Sequence, residues 1–276
     1  INSCTEPLNV DSIMQVVNAL APGNHAAKAS LDIALHDLYG KLEGKPLWQI
    51  WGIDPNATPC TSYTIGYDAS DSIVLVKVRE ADWAKILKVK LGRGEVEDKR
   101  MITLIRSLSD KPIYVDANQG WPTKEHELMM CQWLAEQGVV MIEQPMPKHM
   151  DEEHAWLCEQ VELPILADEA CQTYDDVARL APYYDGINIK LMKCGGLAEA
   201  RKMITLAREL GKQVMIGCMT ETRAGISAAT TLSPLVDYAD LDGHVLIAND
   251  PYDGIQIVDG KLTLVDKPGT GVSPLK

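Results

Sequence analysis

Residues 113–116 read IYVD, residues 139–143 read VVMIE and residues 165–168 read ILAD. Each is a short apolar run, rich in β-branched residues, that stops at one acid. Runs of this length and composition predict buried strands. Five more segments of the same kind lie on either side: TSYTIG at 61–66, LKVKL at 87–91, GINIK at 186–190, QVMIG at 213–217 and YADLD at 238–242. The last residues of the eight fall at 66, 91, 116, 143, 168, 190, 217 and 242, so successive ends are 22–27 residues apart. A near-constant interval marks a repeated supersecondary unit.

The stretches between the strands have helical character. Lys124–Gln137 follows Thr123, a suitable N-cap, and stops at Gly138. Leu197–Leu210 places Leu197, Ala200, Met203, Ile204, Ala207 and Leu210 at helical spacing. Strands alternating with helices predict parallel pairing, and eight such strands predict an α/β barrel of (β/α)7β type, like a TIM barrel. The two ends depart from the repeat. Asn24 is expected to cap a helix with Ala27, Leu31, Ala34, Leu35 and Leu38 on one side, standing in for a missing eighth crossover helix. After the eighth strand, Ile255–Val258 and Leu262–Val265 flank Asp259-Gly260-Lys261, a hairpin signal. That hairpin is expected to pack on something outside the chain. The expected division is a helical lead-in at 1–54, the barrel at 55–243 and a C-terminal extension at 244–276.

Composition narrows the function classes. The 276 residues carry 26 Lys+Arg against 39 Asp+Glu, a net charge of −13. That balance argues against nucleic acid and against an anionic membrane surface, both of which call for clustered basic charge. Hydrophobic residues at 46% and charged residues at 24% exclude wholesale disorder. Seven scattered cysteines, Cys4 among them, form no C-x-x-C pair, which argues against a disulfide framework and for a reducing cytoplasm. No apolar run approaches the ~20 residues of a membrane span. The opening INSCTEPLNV lacks the pattern of a signal peptide, and the absence of an initiator Met admits processing or truncation upstream. Phe is absent, so Leu, Ile, Val, Met and six Trp must fill the core.

In barrels of this kind the active site lies at the C-terminal ends of the strands. Asp116, Glu143 and Asp168 end three consecutive strands, whose neighbours run roughly 4.8 Å apart. Three unpaired carboxylates at one height would repel, and a hard divalent cation resolves this. Mg²⁺ fits best, with Mn²⁺ as a substitute. The competing reading is that each acid caps the helix after it. Lys88 and Lys90 share a face by strand alternation. Lys190 lies four strands away from Lys90, across the mouth, so two cations would flank the trio. A substrate between them could lose a proton to one lysine and regain it from the other, inverting a stereocentre; ion pairing with the acids is the alternative. Asp240 and Asp242 also share a face. They read equally well as an ammonium clamp or as a turn near Gly243. Cys194 and Cys218 have no paired His and read as packing residues.

Taken together, KVKLG, IYVDANQGW, MIEQPMP, PILADEA, NIKLMKCGG and MIGCMTET resemble the enolase superfamily in its muconate-lactonizing subgroup, over the whole chain from about Asn24. TSYTIG, MIGCMTET and DLDG are most similar to its dipeptide epimerases of the L-Ala-D/L-Glu kind. The resemblance implies Asp116, Glu143 and Asp168 as metal ligands, and Lys90 and Lys190, rather than Lys193, as acid and base. It implies Lys88 beside the substrate carboxylate, and Asp240 and Asp242 on the substrate α-ammonium. The implied chemistry is proton transfer at the carbon α to a carboxylate through an ene-diolate. Members of the superfamily carry an N-terminal capping domain. Here it is expected to be absent from the chain or supplied as a separate chain, with the C-terminal hairpin packing on it. Homo-oligomers are a further expectation. The alternatives are a cycloisomerase or o-succinylbenzoate synthase of the same superfamily, or a barrel without its cap that binds but does not catalyse.

Overall fold

The computed structural model describes residues 8–275; Cys4 and the first seven residues of the opening segment lie outside the described residues. Eight strands form one sheet in chain order: β1 Ser62–Ile65, β2 Ile86–Lys90, β3 Ile113–Asp116, β4 Val139–Glu143, β5 Ile165–Ala167, β6 Gly186–Lys190, β7 Gln213–Gly217 and β8 Tyr238–Asp240. All adjacent pairs are parallel. A parallel bridge between Thr61 and Ala239 joins the first edge to the last. The Thr61 hydroxyl reinforces that seam by accepting the Leu241 N–H at 2.9 Å. The expected barrel is therefore the observed one.

Helices Asp71–Glu80, Glu95–Arg106, Lys124–Glu136, Asp151–Gln160, Tyr174–Leu180, Leu197–Glu209 and Arg223–Leu232 follow β1 to β7 in turn. Local chemistry sets their starts. The Thr123 hydroxyl accepts the His126 N–H, and Glu125 and Glu127 sit in the first turn, where the helix dipole favours acids. Thr173 and Asp176 make a reciprocal capping box. Among the described residues no helix follows β8.

Strand alternation divides the interior in two. Leu87, Val89, Ile113, Val115, Ile142, Ile165, Ile187, Ile189, Val214 and Ile216 face the helices in one continuous core. Burying each such side chain stabilises the fold by about 1.5–3 kcal/mol. The other face points into the barrel. There Tyr114, Met141, Leu166 and Met215 pack as a small apolar floor.

Three expectations need correction. Asn24 does not cap its helix, His25–Glu43; it sits in the left-handed region at φ 53°, and its Nδ2 donates to Pro22 O. The buried face of that helix is also different. Ala29, Asp32, Ile33, Leu35, His36 and Gly40 are buried, whereas Leu38 is exposed. Asp32 accounts for the shift, because its carboxylate accepts the Leu197 N–H at 2.5 Å, at the start of another helix. Gly40 follows from close packing, since a Cβ there would lie 2.6 Å from Gly269 Cα. The helix thus packs on the crossovers after β6 and β7. Finally, the hairpin, Gln256–Val258 with Lys261–Thr263, has a partner within the chain. Thr61 N donates to Gly260 O at 2.9 Å, Cys60 bridges Lys261, and Ile255 and Leu262 are buried. Asp259 and Gly260 both take positive φ, as a tight two-residue hairpin turn demands.

Candidate active site

Two residues above the floor, on the same inward faces, the strands turn charged. Asp116 and Glu143 stand directly opposite each other in the β3–β4 register. Glu143 pairs with Leu166, so Asp168 lies two residues further on, just past the end of β5. The stagger of a closed barrel, rather than equal position along each strand, brings the third acid in. All three are buried, and one oxygen from each lies within 4.8 Å of the others.

Four lysines surround the trio. Lys88, fully buried, has its ammonium 2.6 Å from Glu143, 2.7 Å from Asp240 and 3.3 Å from Asp116. Burial by itself would lower its pKa, but Asp240, Glu143 and Asp116 together raise it well above the ordinary lysine value. Lys90 pairs with Asp116 at 2.5 Å, its one ion-pair partner among the described residues, and its side chain is 35% exposed. Lys190 lies 2.7 Å from Asp168 and 3.9 Å from Glu143. There too burial opposes and the two carboxylates prevail, raising its pKa. β2 and β6 are four strands apart in an eight-stranded ring, so Lys90 and Lys190 approach the trio from opposite walls.

Lys193, set aside in favour of Lys190 by the sequence reading, is buried in the same cluster. It donates to Asp168 Oδ1 at 2.5 Å and to the carbonyls of Asp168 and Asn188 at 2.6 and 3.0 Å. Two backbone carbonyls anchor it, whereas the partners of Lys190 among the described residues are carboxylates. Burial pushes Asp168 up, but Lys193 and Lys190 reverse this and hold it well below the usual carboxylate range. Glu143 goes the other way: burial and Asp116 outweigh Lys88 and push it up to about 8. An all-oxygen donor set this close together fits a hard divalent cation.

Asp240 and Asp242 are both buried but differ in use. Asp240 accepts from Lys88 at 2.7 Å and from the Ser62 hydroxyl at 2.7 Å, which commits both of its oxygens. Asp242 accepts the Thr64 N–H through Oδ2 at 2.7 Å, and among the described residues its Oδ1 has no hydrogen-bond partner within 3.5 Å. Burial first and Asp240 second push Asp242 up to about 6. Sequence reasoning treated the two as equivalent. It also missed Asn188, whose amide donates to Glu143 Oε1 at 2.7 Å, and Ser62. Both lay within reach of the alternation rule, since Asn188 is two residues before Lys190. Burial holds the Cys194 thiol up at about 12 and Cys218 well above its ordinary value, which disfavours the thiolate that a nucleophile needs.

Residues 74–276 match the family described as Enolase C-terminal domain-like, and residues 4–52 match the N-terminal domain of the mandelate racemase / muconate lactonizing enzyme family. The chain belongs to this enolase superfamily family, and it is an isomerase. The stretch expected as a mere lead-in is thus matched to the domain expected to be absent. Over 269 residues the chain is 54% identical to the L-Ala-D/L-Glu epimerase of Bacteroides thetaiotaomicron, covering 97% of this chain and 70% of that one. Its fold is similar to a dipeptide epimerase from Enterococcus faecalis V583, with TM-score 0.88, 33% identity and 96% and 79% of the two chains covered. It is also similar to a dipeptide epimerase from Cytophaga hutchinsonii complexed with Mg and the dipeptide D-Ala-L-Val, with TM-score 0.90, 27% identity and 99% and 76% covered.

Proposed function

We propose that this chain epimerises dipeptides by moving a proton at the carbon α to the substrate carboxylate. The observation that carries the reading is that Lys90 and Lys190 stand on opposite walls of one buried carboxylate trio. Asp116, Glu143 and Asp168 would hold Mg²⁺, with Mn²⁺ able to replace it. Bound there, the ion would supply positive charge beside the substrate carboxylate and take over the carboxylates that now hold Lys90 and Lys190. Lys90 then takes the α-proton on one face, and Lys190 delivers one to the other. Near neutral pH, one lysine must start without its proton, and release from the acids favours that state. Lys193 stays where its two carbonyls hold it, which supports Lys190 as the mobile group. Lys88 keeps its 2.7 Å contact with Asp240, which lies outside the trio, and keeps its charge towards the substrate carboxylate.

The unshared oxygen of Asp242 supports a substrate with a cation at its far end, such as the free amine of a dipeptide. Asp240, held by Lys88 and Ser62, stands two residues before Asp242 on the same face and adds negative charge to that end. In this reading the barrel, residues 55–243, is the catalytic unit, between a lead-in at 1–54 and an extension at 244–276. The unpaired state of all six described cysteines supports a cytoplasmic setting.

The test is incubation with Mg²⁺ and a dipeptide library in D₂O. α-Deuterium incorporation, read by mass, is expected for free-amine dipeptides and is abolished by EDTA. Turnover of substrates lacking an amine would favour a cycloisomerase or o-succinylbenzoate synthase. Metal binding without any exchange would favour a non-catalytic barrel.

A further inference from the structure

We propose that Gln144 is a positioning residue that sets the place of Asp168 relative to the other two acids; this rests on reading the trio as a metal site. Gln144 directly follows Glu143 and is fully buried. Its φ is 36°, inside the left-handed region that a non-glycine residue occupies at a cost of about 1–3 kcal/mol. The surrounding hydrogen bonds hold it there. Gln144 Oε1 accepts the backbone N–H of Asp168 and that of Ala170, each at 3.0 Å. Gln144 Nε2 donates to Met146 O at 3.2 Å and to the Tyr184 hydroxyl at 3.1 Å. Two acceptor and two donor positions are all that a carboxamide has, and every one is used.

The backbone of the same residue extends the tie. Gln144 N donates to Leu166 O at 2.9 Å, and Gln144 O accepts from Gln119 N at 2.7 Å. Gln119 lies three residues past Asp116 and, like Asn118, takes a positive φ. One residue therefore joins the segments that leave β3, β4 and β5, each immediately beyond one acid of the trio. Lys190, at the end of β6, and Lys193, just beyond it, pull on the Asp168 carboxylate, whereas Gln144, just past β4, holds the Asp168 backbone.

The chemistry calls for a neutral amide. Glu at this position would set a third acceptor-only group against the Met146 carbonyl, next to two acids. Met would match the length and lose all four bonds. The probe is Mn²⁺ alone, titrated into the full chain without substrate and followed by electron paramagnetic resonance of the free ion. Groups that orient metal ligands typically change affinity by about 10–100-fold, so Gln144→Met and Gln144→Glu should each bind Mn²⁺ at least about tenfold more weakly. Tyr184→Phe, which frees one Nε2 bond, should give about two- to threefold and serves where the Gln144 variants fail to fold. Leu134→Ala, a core change in the helix Lys124–Glu136, should lower the melting temperature and leave Mn²⁺ affinity unchanged, which separates positioning from general stability. Parent-like Mn²⁺ affinity in a folded Gln144→Met chain, or in Tyr184→Phe where it alone folds, overturns the proposal. A parent chain that binds no Mn²⁺ overturns the metal reading, and this proposal with it.

Discussion

The barrel interior holds two rows of side chains that could hardly differ more. Tyr114, Met141 and Leu166 make the floor, and Asp116, Glu143 and Asp168 follow two residues later on the same strands and the same faces. Two residues of strand span only about 6.6 Å. Over that distance the environment passes from dry apolar packing to a cluster of acids and lysines. The floor lowers the free energy of the fold by burial alone. The upper row loses hydration on both signs of charge and regains it only through pairing, so as a structural device it is close to neutral. In the proposed function, adjacent rows of one sheet thus divide the labour, with stability carried below and chemistry above.

The largest expected effect lies in the upper row. Lys90→Ala and Lys190→Ala should each cut epimerisation by about a thousandfold or more, within the usual range for a lost acid or base. Each should still exchange the α-proton of one substrate epimer in D₂O, because the opposite lysine remains. Either variant epimerising at the parent rate would erase the distinction between the two walls. Next comes the lower row. Met141→Ala should cost about 2–5 kcal/mol of stability in denaturant unfolding, yet leave kcat/KM per folded molecule within about twofold. An activity loss beyond the unfolded fraction would show that the rows are not separable. The smallest effect sharpens the comparison inside the upper row. Asp242→Asn should lose about one to two decades in kcat/KM for free-amine dipeptides, equivalent to a charge-assisted bond of roughly 1.5–3 kcal/mol. Mn²⁺ binding should not change, and N-acetylated dipeptides should be poor substrates before and after. Equal turnover of free and N-acetylated dipeptides would remove the ammonium clamp.

Much of this was legible before any coordinates. The strands announced themselves because each is a short apolar run between helices, and their predicted ends differ from the observed ones by no more than two residues. The charged row was legible because acids and lysines at the end of buried runs have no ordinary reason to be there. What stayed hidden depends on contacts that no local pattern encodes. The buried face of His25–Glu43 turns on Asp32 meeting a helix start 165 residues away. Gln144 reads as one more polar residue until its positive φ directs its amide onto β5. Asp240 and Asp242 look alike by alternation, and only Lys88 and Ser62 distinguish them. The hairpin looked orphaned because its partner, Cys60–Thr61, lies far back in the chain.

The Thr61–Ala239 seam also bears on synthesis. Ser62 and Asp240, which hydrogen-bond beside the seam, are separated by 178 positions in the sequence. At roughly 5–20 residues per second, a ribosome takes about ten to forty seconds to make that interval. For all of it, β1 has emerged with one ladder edge unpaired, and that edge is only four residues long. A brief edge offers little to a stray strand, so the shortness of β1 protects the nascent chain while it waits for β8.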